Sequence, residues 1–582
     1  MMQIKIPSDE KVKVTINDKE YLIPKNFTIL EACKKIGIDI PTLCNYELIS
    51  PLGACRLCVV EVEGARTLLS SCTTPVKAEM KVYTHTKRVM DSRRTILKLL
   101  IADHGNNCLT CSESTSCKLF NYANDYEIDF DPYVQIKGKE RIKDNSSLCF
   151  SRDNNICIRC GKCTHICAEV QGVYAIGLRD RGADMQPGCP FDNTIIESKC
   201  INCGQCVLNC PTNALKEKIQ VDEVWELIND KSKHVVAQVA PAVRVAIGEP
   251  FGMEPGSLAT GKLVSALKLI GFDKVFDTQT GADLTIMEEG TEALQRIEKG
   301  ENLPIMTSCC PAWVNYIYNF YPELKKYLST AKSPQAMLGR MIKEYYAKTQ
   351  GIDKKNIKVI SIMPCIAKKD EILKKGNKGD VDISITTREL ADMIKQAGIE
   401  FRHLKEEEFD NPLGESSGAA TIFGVTGGVM EAALRTAYEL KTGQKLEKLE
   451  FDQIRGLDFV KEGTIDFNGK QVRFLVCHGI SNIKPFMEKL KNGKNKYDFI
   501  EVMACPGGCI GGGGQPKPTN VEIINARMKS IYLNDSANKI RRSYENKDIQ
   551  KLYSTFLKEP CSDVAHKFLH LNHDDNDIVK KN

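Results

Sequence analysis

The chain has 582 residues and a near-balanced charge, +5 from 80 basic and 75 acidic side chains. That length implies several domains, the balance gives no electrostatic case for binding nucleic acid, and no apolar run is long enough to span a bilayer. The outlier is cysteine, with 25 residues. The N-terminus, MMQIKIPSDEKVKV, lacks the apolar segment of a secretory signal, so a cytoplasmic setting is expected, with cysteines serving as metal ligands or redox groups rather than a disulfide scaffold.

Residues 1–85 read as a small mixed domain. VKVTIND and YLIP (12–18 and 21–24) alternate like a hairpin, and TILEACKKIG (28–37) is helix-like and ends at a glycine. Cys33 lies on that helix as a core residue. Cys44, Cys55, Cys58 and Cys72 follow with gaps of ten, two and thirteen residues. Zinc ribbons pair two CxxC units; one CxxC flanked by two outlying cysteines fits a 2Fe–2S loop better, although the gaps are not the plant-type spacing.

Residues 86–150 begin with a helix over 89–101 and continue into HGNNCLTCSESTSC, which supplies His104, Cys108, Cys111 and Cys117. Imidazole is a competent iron ligand, so the group is a candidate iron site; a zinc site or an exposed histidine is the alternative. Residues 151–216 carry the strongest local signal, CxxCxxCxxxC given twice. The runs are Cys157, Cys160, Cys163, Cys167 and Cys200, Cys203, Cys206, Cys210, the second followed by Pro211. In such two-cluster modules the fourth cysteine of each run serves the other cluster. Cys157, Cys160, Cys163 and Cys210 are therefore expected at one 4Fe–4S cluster, and Cys200, Cys203, Cys206 and Cys167 at the other. Cys149 and Cys189 fall outside the pattern. These segments make a series of electron-transfer centres; plant-type ones lie near roughly −400 mV.

From about residue 217 helical and strand-like stretches alternate, which suggests α/β with parallel sheets. Four apolar runs end in chemically suggestive groups: HVVAQVAPA (234–242), LPIMTSCCPAW (303–313), IKVISIMPC (357–365) and YDFIEVMAC (497–505). Ligands of open α/β sheets bind beyond the carboxyl ends of strands. Cys310, Cys365, Cys505 and Cys509 are thus candidates to converge as the four thiolates of a cubane. Gly511 to Gly514 then follow, a run that permits close backbone approach or makes a flexible linker. MEEGTEALQRIEKG (287–300) sets Glu289 and Glu292 at i, i+3 on one helical face; by itself this reads as an ordinary acidic face. HLKEEEFD (403–410) reads as a solvated loop. Residues 521–582 return to amphipathic helix, as in ARMKSIYL and IQKLYSTFL. Cys561 with His566, His570 and His573 lacks CxxC spacing, so a C-terminal wrap is preferred to a metal site. Cys477, ending RFLVCHG, is either core or near the site.

TSCCPAW, MPCIAKKDE and EVMACPGGCIGGGGQP resemble the three signature motifs of the FeFe-hydrogenases, and the accessory-cluster motifs stand in that family's order across nearly the whole chain. The front of the chain also resembles the large peripheral subunit of respiratory complex I. The resemblance implies an α/β plus α+β chain. Its parts are a plant-type ferredoxin-like 2Fe–2S domain (1–85), a His-ligated 4Fe–4S domain (86–150), a two-cluster bacterial ferredoxin domain (151–216), a two-lobed α/β catalytic domain with parallel sheets (217–520) and a C-terminal helical wrap (521–582). It implies an H-cluster, in which a 4Fe–4S cubane on Cys310, Cys365, Cys505 and Cys509 joins, through Cys509, a di-iron unit carrying CO, CN and a bridging dithiolate. Lys368 would donate to a cyanide. Pro241, Ala242, Gln335, Met363, Met503, Phe423 and Gly424 would wall the pocket, with Ala242 replacing a serine found in some members. Cys309 would be the final proton donor, and Glu289, Glu292, Ser329 and Arg296 would make up the rest of the relay.

The activity implied is reversible formation of hydrogen from two protons and two electrons supplied by reduced ferredoxin. The alternative is a subunit of a multimeric NAD(P)-linked or electron-bifurcating hydrogenase. SPLGACRLCVVEVEGAR (50–66), QVAPAVRVAIGEPFG (238–252) and MPCIAKKDE look closer to such subunits, and with no dinucleotide fingerprint in the chain flavin and NAD(P) would sit on partner subunits. A hydrogen sensor or cluster-assembly relative is a third reading, disfavoured by the intact Cys309, Glu289, Glu292 and Ser329. Maturation proteins would be needed for the di-iron unit.

Overall fold

The computed structural model describes residues 6–104, 108, 111, 117–128, 141–446, 448–467 and 469–574. Most residues between Cys108 and Cys117, and 129–140 of the 86–150 segment, lie outside the described residues, as do both chain ends. The chain divides into two compact units, one of residues 2–200 with 209–216, the other of 201–208 with 217–582. No described helix is long and apolar enough to cross a membrane, and no disulfide forms among the described residues.

In the first unit the expected hairpin is Lys11–Ile16 against Lys19–Pro24, with Val14 opposite Tyr21. Its two-residue turn places Asn17 and Asp18 at φ of 48° and 63°, the geometry whose twist matches antiparallel strands and which asparagine and aspartate tolerate. Met80–Tyr83 runs parallel to the first strand and antiparallel to Val59–Val62, which in turn pairs with Leu69–Ser70. The helix Ile29–Lys35 starts at a reciprocal cap between Thr28 and Glu31. It lays Ile29, Ala32 and Cys33 into the sheet's core with Val14, Ile23 and Val82. The helices Lys87–His104 and Lys118–Asp125 follow, and their Leu97, Ile101, Leu119 and Ala123 share an apolar cluster with Cys44, Cys55, Cys117 and Cys160.

The second unit is built on two sheets. In one, the described strands run Lys274–Asp277, His234–Val239, Ile357–Met363, Ile383–Thr386, all parallel. Its central strands are near-continuous apolar runs because both faces are covered; Val235, Ala237, Val239, Ile360 and Ile362 pack with helices Thr260–Ile270 and Thr387–Gln396. In the other sheet the order is Ile305–Met306, Phe499–Met503, Lys470–His478, Val460–Phe467; the first three are parallel, and the last closes the edge as an antiparallel hairpin. Of the apolar run over 303–313 only Ile305 and Met306 form a strand. Pro311 opens the helix Pro311–Phe320 at its first turn, where its missing N–H costs nothing, so Cys309 and Cys310 fall in the connection.

The helix Thr278–Lys299 is 22 residues long. Its Ala282, Ile286 and Ala293 join the core around the second sheet, while Leu284 and Met287 join a cluster with helix Pro334–Met341 and the C-terminal helices. Packing on two sides buries its acidic residues. Glu288 and Glu289 have no exposed surface and Glu292 is 7% exposed, so this is not a solvated acidic face. The C-terminal helices Val521–Ala537, Lys547–Leu552 and Asp563–Leu569 complete the unit.

Candidate active site and metal centres

The carboxyl ends of both sheets deliver their loops to one cavity of about 80 Å³. Cys310 caps the start of Pro311–Phe320, Cys365 follows the strand Ile357–Met363, and Cys505 follows Phe499–Met503. These three and Cys509 line the cavity together with Cys309 and Lys368. So do Pro241, Ala242, Gln335, Met363, Met503, Phe423 and Gly424. Every pocket residue expected from sequence therefore meets in one place.

The glycine-rich stretch is a fixed cradle rather than a linker. Arg388 donates to the carbonyl of Gly513 at 2.8 Å, Arg527 to that of Ile510 at 2.8 Å, and Gln205 to that of Gly511 at 2.8 Å. Gly508 has a φ of 94°, and a Cβ there would lie 2.7 Å from the Thr426 nitrogen. A Cβ at Gly512 would meet the Pro364 oxygen at 2.1 Å, and one at Gly513 the Cys203 oxygen at 2.6 Å. Cys203 thus rides on a loop packed directly against the cradle. Burial pushes the thiols of Cys310, Cys505 and Cys509 upward and that of Cys365 to about 12. Four thiols crowded around a water-poor cavity become thiolates only opposite strong positive charge. Ferric and ferrous iron supply that charge, so the donor set fits a cubane.

Lys368 Nζ donates to the Cys309 carbonyl at 3.2 Å and to both carboxylate oxygens of Glu371, at 3.0 and 2.8 Å. Burial opposes its charge, yet Glu371 outweighs that effect and raises its pKa. Glu371 also accepts from Gln335 Nε2 at 2.9 Å and Ser333 Oγ at 2.8 Å, and Gln335 Oε1 accepts from Ser361 at 2.7 Å. Sequence reading gave Glu371 no role; its i, i+3 spacing from Lys368 inside MPCIAKKDE was the available signal.

On the long helix, Glu292 accepts from Ser329 Oγ at 2.8 Å and from Arg296 at 2.5 Å. Arg296 also donates to the Leu328 carbonyl at 3.1 Å, which holds its guanidinium beside the opening of a solvent-facing cavity of about 390 Å³. Burial, then the Glu292 carboxylate, raise Glu289 to about 8, against the lowering pull of Ser329 and the Ser308 backbone. Burial and then Glu289 push the Cys309 thiol well upward. Arg296, Glu292 and Ser329 are thus joined by hydrogen bonds, and Glu289 and Cys309 lie close enough for the charge of Glu292 to act on Glu289 and that of Glu289 on Cys309. Thr330 was missed in sequence: its N–H and hydroxyl donate to Glu292 at 3.1 to 3.2 Å.

In the first unit, Cys44, Cys55, Cys58 and Cys72 are buried, and Cys44 contacts both Cys55 and Cys72 while Cys58 contacts Cys72. His104 Nδ1 lies 2.7 Å from the Ile156 carbonyl. A carbonyl only accepts, so Nδ1 carries the proton and Nε2 is left as the ligand atom. Cys108, Cys111 and Cys117 interact with one another. Cys157, Cys160, Cys163 and Cys210 line a small cavity with Pro211, and burial raises Cys157 to about 12 and Cys160 to about 11. Of the other ferredoxin set, Cys167 and Cys200 belong to the first unit and Cys203 and Cys206 to the second. Cys33 and Cys477 are core residues. Arg152 approaches Cys189 at 3.8 Å, and Cys149 is buried.

A family model for the C-terminal domain of the iron-only hydrogenase large subunit matches residues 233–513, and one for the iron hydrogenase small subunit matches 521–576. Models of a 2Fe-2S binding domain, an NADH-ubiquinone oxidoreductase-G iron-sulfur region and a 4Fe-4S domain match 9–87, 93–131 and 193–216. The NADP-reducing hydrogenase subunit HndD of Solidesulfovibrio fructosivorans is 45% identical over 577 residues, covering 96% of this chain and 98% of that protein. Iron hydrogenase 1 of Clostridium pasteurianum is 38% identical over 570 residues, covering 96% and 99%. A solved structure of a variant of the [FeFe]-hydrogenase HydA1 from Chlamydomonas reinhardtii superposes with a TM-score of 0.55 at 41% identity, covering 61% of this chain and 98% of that one. Mixed α/β sheets closing on a cysteine-lined cavity, preceded by iron–sulfur domains, define an iron-only hydrogenase catalytic chain. The protein belongs to that family: it is an oxidoreductase acting on hydrogen, with an H-cluster domain and 2Fe-2S and 4Fe-4S binding domains.

Proposed function

We propose that the chain interconverts protons, electrons and hydrogen at the cavity, with protons delivered along Arg296, Glu292, Ser329, Glu289 and Cys309. The observation that carries this reading is the set of proton-carrying groups between a solvent-facing cavity and the cysteine-lined one, hydrogen-bonded from Arg296 through Glu292 to Ser329 and continued by Glu289 and Cys309, all buried except Arg296. Cys310, Cys365, Cys505 and Cys509 would hold the cubane, with Cys509 also reaching the di-iron unit. When bound, the H-cluster supplies the electron pair and the open metal position at which hydrogen forms. The residues do the rest. Met363, Met503, Phe423 and Pro241 exclude water. Lys368 has three donors, and giving up one of its two Glu371 bonds frees a donor toward the cavity. Glu289, with a pKa near the working pH, passes protons in either direction at small cost. Cys309 gives or takes the last proton.

The accessory set is read as one 2Fe–2S cluster (Cys44, Cys55, Cys58, Cys72) and three 4Fe–4S clusters, one of them bound through His104. The contact between the Cys203 loop and Gly513 supports entry of electrons from the ferredoxin-like clusters. The electron donor is reduced ferredoxin in a cytoplasmic setting. A second reading, supported by 45% identity to a subunit named for NADP reduction, places the chain beside flavin- and NAD(P)-binding partner subunits. The test is hydrogen evolution by chain matured with the di-iron unit, first with reduced ferredoxin and then with NADH or NADPH, before and after native co-purification. Full ferredoxin activity of the lone chain would rule out the second reading; activity only in a flavoprotein complex would rule out the first.

A further inference from the structure

Outside the cavity, among the described residues, one group brings its donor atoms close enough for a single metal ion. Cys561, His566 and His570 place a sulfur and two ring nitrogens all within 4.8 Å of one another. His566 lies on the last helix and His570 is the extended residue that ends it, with ring centroids 4.1 Å apart. Glu288 borders this group of three: its Oε2 lies 2.9 Å from His570 Nε2 and accepts from the Cys561 N–H at 2.7 Å. The donors are also held from behind. Tyr553 OH donates to the other Glu288 oxygen at 2.5 Å, and His570 Nδ1 lies 2.8 Å from Thr330 Oγ1. Both are the supporting bonds that orient a metal-bound carboxylate and imidazole. Cys561 sits at a φ of 57°, an uncommon conformation for cysteine that turns its sulfur back over Glu288, whose carbonyl it meets at 3.5 Å. His566 is exposed, and the solvent-facing cavity bounded by His566, His570, Thr330 and Arg296 gives an ion its route in.

We propose that Cys561, His566, His570 and Glu288 form a mononuclear divalent-metal site, with Zn²⁺ the best match. One thiolate, two imidazoles and one carboxylate suit a four-coordinate borderline-soft ion, and a cluster would need more thiolates than the one present. Binding replaces the His570–Glu288 hydrogen bond by two metal bonds and displaces the protons of His570 Nε2 and the Cys561 thiol to solvent. Thr330 bridges His570 to Glu292, at 3.1 Å from its Oε1. The ion therefore sits one hydroxyl away from the outer carboxylate of the relay, clamping the C-terminal segment over its mouth.

The test uses the full-length, cluster-loaded enzyme given ZnCl₂ and then desalted. Zinc is quantified per chain, and its surroundings are read by X-ray absorption at the zinc edge, which the iron clusters do not obscure. The expected result is one zinc with one sulfur at about 2.3 Å and three nitrogen or oxygen atoms at about 2.0 Å. Retention should be lost in Cys561→Ser and His566→Ala, and Tyr553→Phe should weaken it by about 10–100-fold. A sulfur-rich zinc shell, no retained zinc, or equal retention by both ligand variants would overturn the site. None of these readouts depends on the proton relay being correct.

Discussion

Replacing Glu289 by glutamine keeps the shape of the side chain and removes its proton. In the native protein the carboxyl holds a proton up to about pH 8, because burial, and then Glu292, disfavour its charge. In the unfolded chain it titrates near 4.5. Between those values the folded state binds more protons than the unfolded one, so stability falls as pH rises through this window. The full penalty above pH 8 is at most roughly 5 kcal/mol. The glutamine variant has no such penalty. Its thermal midpoint, taken anaerobically at one scan rate, should rise relative to wild type as pH goes from 6 to 9. Its turnover should fall by about 10²–10⁴-fold, the usual worth of a positioned proton carrier. A midpoint difference that does not change with pH, together with retained turnover, would show that Glu289 is only a buried structural acid.

Cys309→Ala should lower turnover by a similar factor of roughly 10²–10⁴ while iron content and the infrared bands of the di-iron ligands are unchanged; loss of those bands would instead make Cys309 a structural residue. Glu371→Ala leaves Lys368 buried opposite only a carbonyl, a loss of about 3–5 kcal/mol, and should lower both the thermal midpoint and the yield of matured cofactor; a variant that matures normally would remove Glu371 from the site. Gly513→Ala drives a methyl to 2.6 Å from the Cys203 oxygen. Backbone cannot rotate away, so the Cys203 loop must shift. Ferredoxin-driven turnover should then drop more than turnover with a small viologen; an equal drop would refute the loop's role in electron entry.

The iron–sulfur domains were legible because metal chemistry fixes cysteine spacing along the chain, as in the two CxxCxxCxxxC runs. The four cavity cysteines were legible for a different reason: three come directly after apolar runs, and parallel strands present their succeeding loops at one edge of the sheet. The glycine run was ambiguous until its carbonyls proved to be held by Arg388, Arg527 and Gln205, contacts made by residues far away in sequence. Thr330 was invisible for the same reason, since a threonine after a serine carries no periodic signal, whereas Glu371 had one in its i, i+3 spacing from Lys368. The acidic pair Glu289 and Glu292 is misjudged when read alone. Helical spacing says which residues share a face and says nothing of a second layer covering it. Cys561, His566 and His570 lack a CxxC and so look unlike a metal site in sequence. His566 ends up beside His570 because the chain turns extended at the helix end, and Cys561 joins them from a left-handed turn, an arrangement no sequence spacing announces.

The helix Thr278–Lys299 links these features. Adjacent glutamates on it point to different sides: Glu289 toward Cys309 and the cavity, Glu288 toward Tyr553, His570 and the C-terminal segment. A buried carboxylate needs a partner or a proton. Glu288 has three partners and is fixed; neither Glu289 oxygen has a well-formed hydrogen bond, so Glu289 keeps its proton and is free to pass it on. Two chemically identical neighbours thus acquire opposite properties from the packing on either side of one helix. Thr330 ties the C-terminal segment to Glu292, and the Glu292 charge in turn raises Glu289, so a change on the outer side of the helix is felt on its inner side through one carboxylate.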